Sequence, residues 1–193
     1  RASDLGKDLM QVFREANRIL KDEGILAITF HHAEDSAWQA LLDAVLEAGF
    51  HVEAIYPIHS EGESSLHLMD KDAISYDLIH VCLKRRPEDT RQKRSWAGLR
   101  QQVRTLAKDE IARIEAGRYG GQPLSPPDVR MVLIGKCLEI YSRHYGAVID
   151  WDGKPFPLRS ALQVIRMIVE QIFSKETPLP SELETVDALT QVW

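Results

Sequence analysis

Three groups of side chains could do chemistry. His31 and His32 follow directly on the apolar run Ile25-Leu-Ala-Ile-Thr-Phe30, at the carboxyl end of a strand, which is where open α/β sheets place their ligands. Neighbouring residues on a strand point to opposite faces, so without a bend only one of the pair can serve a given site. No third ligand stands at a spacing that would make them a metal centre; the alternative role for the pair is a structural turn. The second group lies in the polar stretch over 60–75, where Ser64, Ser65, His67, Lys71 and Ser75 offer hydrogen-bond donors suited to phosphate or to the edge of a base. Tyr76 closes it, either as a ring that stacks on a base or as an ordinary core-facing strand tyrosine. The third group is Lys93, Arg100, Arg104 and Lys108, spaced by seven, four and four residues. That spacing predicts a narrow arc of one helix, which either contacts phosphates along a duplex or is a solvated face beside Trp96 and Leu99. Arg143 and His144 stand at a helix end, where cations complement the helix dipole.

The elements that must carry these groups are legible from periodicity. Leu5, Leu9, Val12, Phe13, Ala16, Ile19 and Leu20 share one helical face, with Ser3 or Asp4 as cap and Gly24 beyond the end. The run at 25–30 is continuously apolar and β-prone, as a strand covered on both faces would be. Asp35 or Ser36 caps a second helix bearing Trp38, Leu41, Leu42, Val45 and Leu46, closed by Gly49. Strands are expected over 52–58 and 76–83. Two strands joined across a helix should run parallel, and a strand reached by a loop without helical pattern should run antiparallel to its predecessor. The polar loop therefore leaves from the same sheet end as His31.

After Pro87 helical patterns take over. Trp96, Leu99, Val103, Leu106 and Ile114 form one stripe that ends near Gly117. Ser125-Pro-Pro starts the next helix, which buries Val129, Val132, Leu133, Cys137, Ile140 and Tyr141. Asp150-Trp-Asp-Gly-Lys-Pro155 reads as a turn; Ala161 to Ile172 gives a further helix and Ser181 a last short one. Trp151 and Trp193 are expected to be packing residues. The division is thus 1–86, an α/β part, and 87–193, a helical extension.

Composition bounds the class. With 44% hydrophobic and 27% charged residues the chain is globular rather than disordered, and no apolar run is long enough to span a bilayer. Cys82 and Cys137 lie in apolar periodic segments, as buried free thiols of a reducing, cytoplasmic compartment would. The net charge of −5 is uneven: from Lys84 to Arg118 eleven Lys/Arg face five Asp/Glu, a local +6 that leaves −11 elsewhere. The chain opens and stops beside helices without an initiator Met, as a piece cut from a longer protein would.

Phe13-Arg-Glu-Ala-Asn-Arg-Ile-Leu-Lys-Asp-Glu-Gly-Ile-Leu-Ala-Ile-Thr-Phe-His-His32 resembles the fourth helix and fifth strand of class I methyltransferases. Phe30-His-His, Ser64-Ser-Leu-His67, Ala73-Ile-Ser-Tyr-Asp77 and Gly135-Lys-Cys-Leu-Glu-Ile-Tyr-Ser-Arg-His-Tyr145 resemble the later part of adenine-specific DNA methylases that carry an amino-terminal domain of unknown function and a zinc ribbon. The resemblance spans nearly the whole chain. It implies the carboxyl-terminal part of a Rossmann-like sheet, two parallel strands and one antiparallel, followed by a helical module. It implies a parent that uses S-adenosylmethionine to methylate adenine N6 or cytosine N4 in DNA, with His31, His32, Ser65, His67, Ser75 and Tyr76 on the substrate side and the basic helix on DNA phosphates. The Gly-rich turn that binds cofactor, and the Asn- or Asp-Pro-Pro-aromatic motif that holds the target amino group, have no counterpart here. The implied fragment binds no cofactor alone and is inactive alone, and its partners are DNA, the missing amino-terminal half and, through its cut sheet, a second copy. The competing expectation is a nucleic-acid-binding or protein-docking module without catalysis.

Overall fold

The computed structural model describes residues 2–30, 35–59, 76–117 and 124–174. Helix α1 (Ala2–Ile19) leads into strand β1 (Ile25–Phe30), then helix α2 (Asp35–Glu47), strand β2 (Phe50–His59) and strand β3 (Tyr76–Lys84). A 3-10 turn at Pro87–Thr90 crosses to the helical part: β4 (Arg94–Ser95), α3 (Trp96–Glu115), α4 (Pro126–Arg143), β5 (Val148–Ile149) and α5 (Leu158–Ser174). The fold is mixed α/β, with a three-stranded antiparallel sheet and a two-stranded parallel one.

Local chemistry explains most boundaries. Gly49, at φ +91°, turns the chain out of α2 into β2 in a conformation closed to most residues. Ser125 caps α4 by accepting the Asp128 amide at 3.3 Å, with Pro126 and Pro127 occupying the first turn, where no amide partner is needed. Ser95 does the same for α3 through the Gly98 amide.

The sheet order is β1-β3-β2. Both outer strands pair antiparallel with β3, so β1 and β2 run parallel to each other, as expected across the α2 crossover, with the reversed strand between them. The register, with Leu26 opposite Cys82, Ile28 opposite His80 and Val52 opposite Cys82, fixes two faces. One carries Leu26, Ile28, Phe30, Val52, Ile55, Leu78, His80 and Cys82. It packs under α2, where Trp38 meets Phe30 at 5.6 Å and His80 at 5.3 Å between ring centroids, and under α4 at Gly135, where an added Cβ would lie 2.9 Å from Ile55. The opposite face carries Ile25, Ala27, Ala54, Tyr56, Ile58, Ile79, Val81 and Leu83, none of which joins the buried core. The strand at 25–30, expected to be covered on both faces, is therefore covered on one among the described residues.

Helix α4 lies along the outer edge of β2 and satisfies its free amides. The Val52 amide donates to Ser142 Oγ at 3.0 Å and the Ile55 amide to Glu139 Oε1 at 2.7 Å. Between them a bulge at Glu53 turns that carboxylate to Arg143 Nη2 at 2.7 Å. An edge that would otherwise template another strand is closed by side chains. Helix α4 is buried on most sides, against the sheet and against α3 and α5, so the α/β part and the helical part share one core.

Two packing expectations are corrected. Val12 and Ile19, placed on the core-facing stripe of α1, are 61% and 68% exposed. The stripe that reaches the core is the narrower set Leu9, Phe13, Ala16 and Leu20, since α1 rests mainly on α2. Trp151, expected to pack, is 69% exposed. It sits at the tip of a turn in which the Asp150 amide donates to the Lys154 carbonyl at 2.8 Å and the Lys154 amide to Asp150 Oδ1 at 2.8 Å, so the turn is held by its own hydrogen bonds and leaves the ring outside.

Candidate functional site

β1 and β2 both end, at Phe30 and His59, on the side of the sheet where β3 begins at Tyr76. The strand directions therefore bring the exits toward 31–34 and 60–75 to one end, as the sequence implied. His31, His32, Ser64, Ser65, His67, Lys71 and Ser75 lie outside the described residues, as do Ser181 and Trp193. Tyr76 is described. It is 7% exposed, on the same face as Leu78 and His80, and its amide donates to Asp128 Oδ1 of α4 at 3.1 Å. Its placement is that of a core-facing strand tyrosine, the second of its two expected roles, because the alternation of β3 directs even-numbered side chains inward.

The basic group is divided by the helix start. Lys93 precedes the Ser95 cap, so it is not on the helix as the seven-residue spacing had implied. Arg100, Arg104 and Lys108 do share a face of α3, next to the buried line of Trp96, Leu99, Val103 and Ala107. Arg100 and Arg104 are half-buried and Lys108 is exposed. Over its whole length α3 carries four cations and three anions, and Arg113 is already paired with buried Glu110 at 3.2 Å. The positive surface is therefore confined to the stretch from Arg100 to Lys108. His144 caps the end of α4, with burial as the main cause of its lowered pKa, and Arg143 is committed to Glu53.

Two cavities bring together residues that no sequence pattern had grouped. One, of about 330 Å3, lies at the opposite end of the sheet from the Tyr76 side and includes His51, Glu53, Lys84, Arg86 and Arg143. His51 is 6% exposed, with Nε2 3.1 Å from Glu53 Oε2 and, among the described residues, no partner for Nδ1. Its cations and carboxylates nearly cancel, so the cavity selects no charge. The other, of about 390 Å3, lies between α2, the end of α4 and the segment entering α5. Tyr141 and Tyr145 enter its wall, their hydroxyl pKa values raised chiefly by burial. Asp43, also raised by burial first, faces it from α2. The sequence signal that could have marked this second site is a pair of tyrosines four residues apart at a helix end, Tyr141 and Tyr145.

Among the described residues the glycines with positive φ are Gly49, Gly117, Gly146 and Gly153, at helix ends and in one turn. Among the described residues none stands where a strand passes into a helix, the position at which a Gly-rich turn cradles a nucleotide cofactor. Cys82 and Cys137 are fully buried free thiols, pushed up to about 12 chiefly by burial, which removes them as nucleophiles. Among the described residues no helix is long and apolar enough to cross a membrane. No protein-family model matches the chain, and neither a curated protein nor a solved structure matches it.

Proposed function

We propose that this chain is the carboxyl-terminal part of the α/β domain of a class I, S-adenosylmethionine-dependent DNA methyltransferase, together with a helical module, and that it completes a sheet whose cofactor-binding half lies elsewhere. The observation that carries the reading is the strand pattern, two parallel strands with a reversed one between them, reached through α1 and α2 packed on one face. Three features support it. Among the described residues β1 has a strand neighbour on one edge only, Ile25 on it and Val12 and Ile19 on α1 are exposed, and the sheet face bearing Ala27 and Ile58 is left uncovered. Such a surface suits the remainder of a larger sheet and its helices.

In this reading the chain supplies no catalytic group. Its work is to hold the exits of β1 and β2 at one end of the sheet and to present Arg100, Arg104 and Lys108 to phosphates. Target base, whether adenine N6 or cytosine N4, is set by the half that carries the Pro-Pro-aromatic motif. A docking module without catalysis is the competing reading, favoured by the same open face. Calorimetric titration of the chain with S-adenosylmethionine is expected to show no binding, and a micromolar Kd or better would overturn the fragment reading. A Gly-rich turn and an Asn- or Asp-Pro-Pro-aromatic motif encoded upstream of Arg1 would decide for the methyltransferase, and their absence for the docking module.

A further inference from the structure

We infer that the turn from Asp150 to Pro155 and the strand entering α3 form one binding surface for a single-stranded nucleic acid, with Trp151 as the plate on which a base stacks. This inference rests on neither the methyltransferase reading nor the Arg100-to-Lys108 face of α3. Trp151 is 69% exposed. On a loose loop such a ring would fold back onto the nearest apolar surface. Here the turn is tied across its neck by the Asp150 amide on the Lys154 carbonyl and by the Phe156 amide on the Val148 carbonyl at 2.9 Å. Phe156 is in turn stacked on buried Trp96 at 4.6 Å and 15°, which fixes the turn to the first residue of α3. The backbone that presents the indole is thus set in advance, and a ligand has only the two side-chain torsions of Trp151 left to order.

Cations stand beside the plate. β4 and β5 run parallel, with Arg94 beside Val148 and Ser95 beside Ile149, and Trp151 follows two residues after Ile149. From the rise along a strand and the spacing between strands, the Trp151 backbone lies within about 12 Å of that of Arg94, a distance that an arginine side chain and a stacked base cover between them. Arg91, Lys93 and Arg94 are exposed and have no ion-pair partner among the described residues. The carboxylates of the turn are engaged within it: Asp150 Oδ1 accepts the Lys154 amide, and Asp152 Oδ2 lies 3.7 Å from Lys154 Nζ. An aromatic plate flanked by unpaired cations matches a ligand that carries ring faces and phosphates in alternation. A duplex keeps its base faces inside the stack, and an acidic peptide brings charge without a ring at each step. An anionic bilayer would press both neighbours of the ring, Asp150 and Asp152, into its headgroups, whereas a strand needs only the ring and the side that holds β4.

The test is fluorescence anisotropy of a fluorescein-labelled oligothymidylate of about twelve nucleotides, titrated with the chain at several salt concentrations. Saturable binding with a Kd of about 10 μM at low salt is expected. An abasic oligomer with the same phosphates should compete about tenfold less well, since it cannot stack, and a duplex, poly-L-glutamate and phosphatidylserine vesicles should also compete less well. Trp151→Ala is expected to weaken binding about tenfold with the salt slope unchanged, and Trp151→Phe to restore most of the loss. Because that ring is exposed, the circular dichroism spectrum of Trp151→Ala should equal the parent's. Lys93→Glu/Arg94→Glu should weaken binding and flatten the slope by about 1.4, two phosphate contacts at about 0.7 each. The proposal is overturned if the chain does not bind the oligomer, if the abasic oligomer competes equally, or if Trp151→Ala binds as the parent does. Equal competition by poly-L-glutamate would give the surface to an acidic protein and by vesicles to a membrane, and either result overturns it as well.

Discussion

The buried imidazole of His80 should set the acid limit of this fold. The ring is 2% exposed, between Phe30 and Trp38, with Nδ1 3.1 Å from the Leu78 carbonyl oxygen. Burial holds its pKa at about 4, against 6.5 when unfolded. The unfolded chain therefore binds a proton more readily, and stability is fully present above pH 6.5 and falls as the pH drops toward 4. A depression of that size corresponds to about 1.4 kcal/mol lost by pH 5.5 and about 3 kcal/mol by pH 4, levelling off at about 3.4 kcal/mol below, where both states become protonated. His80→Phe keeps the aromatic contact and removes the titration. Urea unfolding followed by tryptophan fluorescence at pH 7.5, 5.5 and 4 should show the parent losing about 2–3 kcal/mol more than the variant over that range. Identical pH dependence in the two proteins would refute the argument, since every other titrating group is common to both.

Removing the Ser142 hydroxyl should leave the Val52 amide buried without a partner, so Ser142→Ala is expected to cost about 1–3 kcal/mol in urea unfolding; a change near zero would show that another group closes that edge. Cys82 and Cys137 should resist Ellman's reagent at pH 8 in the native protein and react at once in guanidinium, and rapid native labelling would contradict their placement in the core. The open edge and face should drive self-association visible in light scattering at high concentration, and Ala27→Lys, on the uncovered face of β1, should weaken it; a monomeric parent protein would count against the open-sheet reading. In the intact methyltransferase proposed above, Arg104→Glu should weaken binding to all DNA sequences alike and flatten its salt dependence, whereas an unchanged salt slope would reduce this face of α3 to solvated surface.

Local signals were enough wherever a single turn or cap decides the backbone. Ser125-Pro-Pro, Gly49 and the Asp150-to-Pro155 turn each specify their conformation through φ preference or a hydrogen bond spanning four residues or fewer. The alternating inward positions of β3 follow from a period of two, which also decides Tyr76. The site candidates fared differently. The spacing of Lys93 relative to Arg100 fits a helix, yet a serine two residues beyond Lys93 starts that helix after it. Both cavities draw their walls from elements far apart in the chain, α2 with α4 and the entry to α5 in one case, and no pattern within a window of about 18 residues can bring those together.

Periodicity, crossover geometry and hydrophobic content were enough for the order α1-β1-α2-β2-β3, the three helices α3 to α5 after it, the shared direction of β1 and β2, the reversal of β3 and the burial of both thiols. Long-range packing places β3 between the other two strands, pairs β4 with β5, sets Glu139 and Ser142 of α4 on the edge of β2, and leaves Val12, Ile19 and Trp151 outside. Those outcomes depend on contacts between residues as much as 84 and 90 positions apart. A polar side chain on a helix carries no mark of the strand amide it will satisfy, and an apolar residue on a helix flank is buried or exposed according to whether a neighbouring layer is there to cover it.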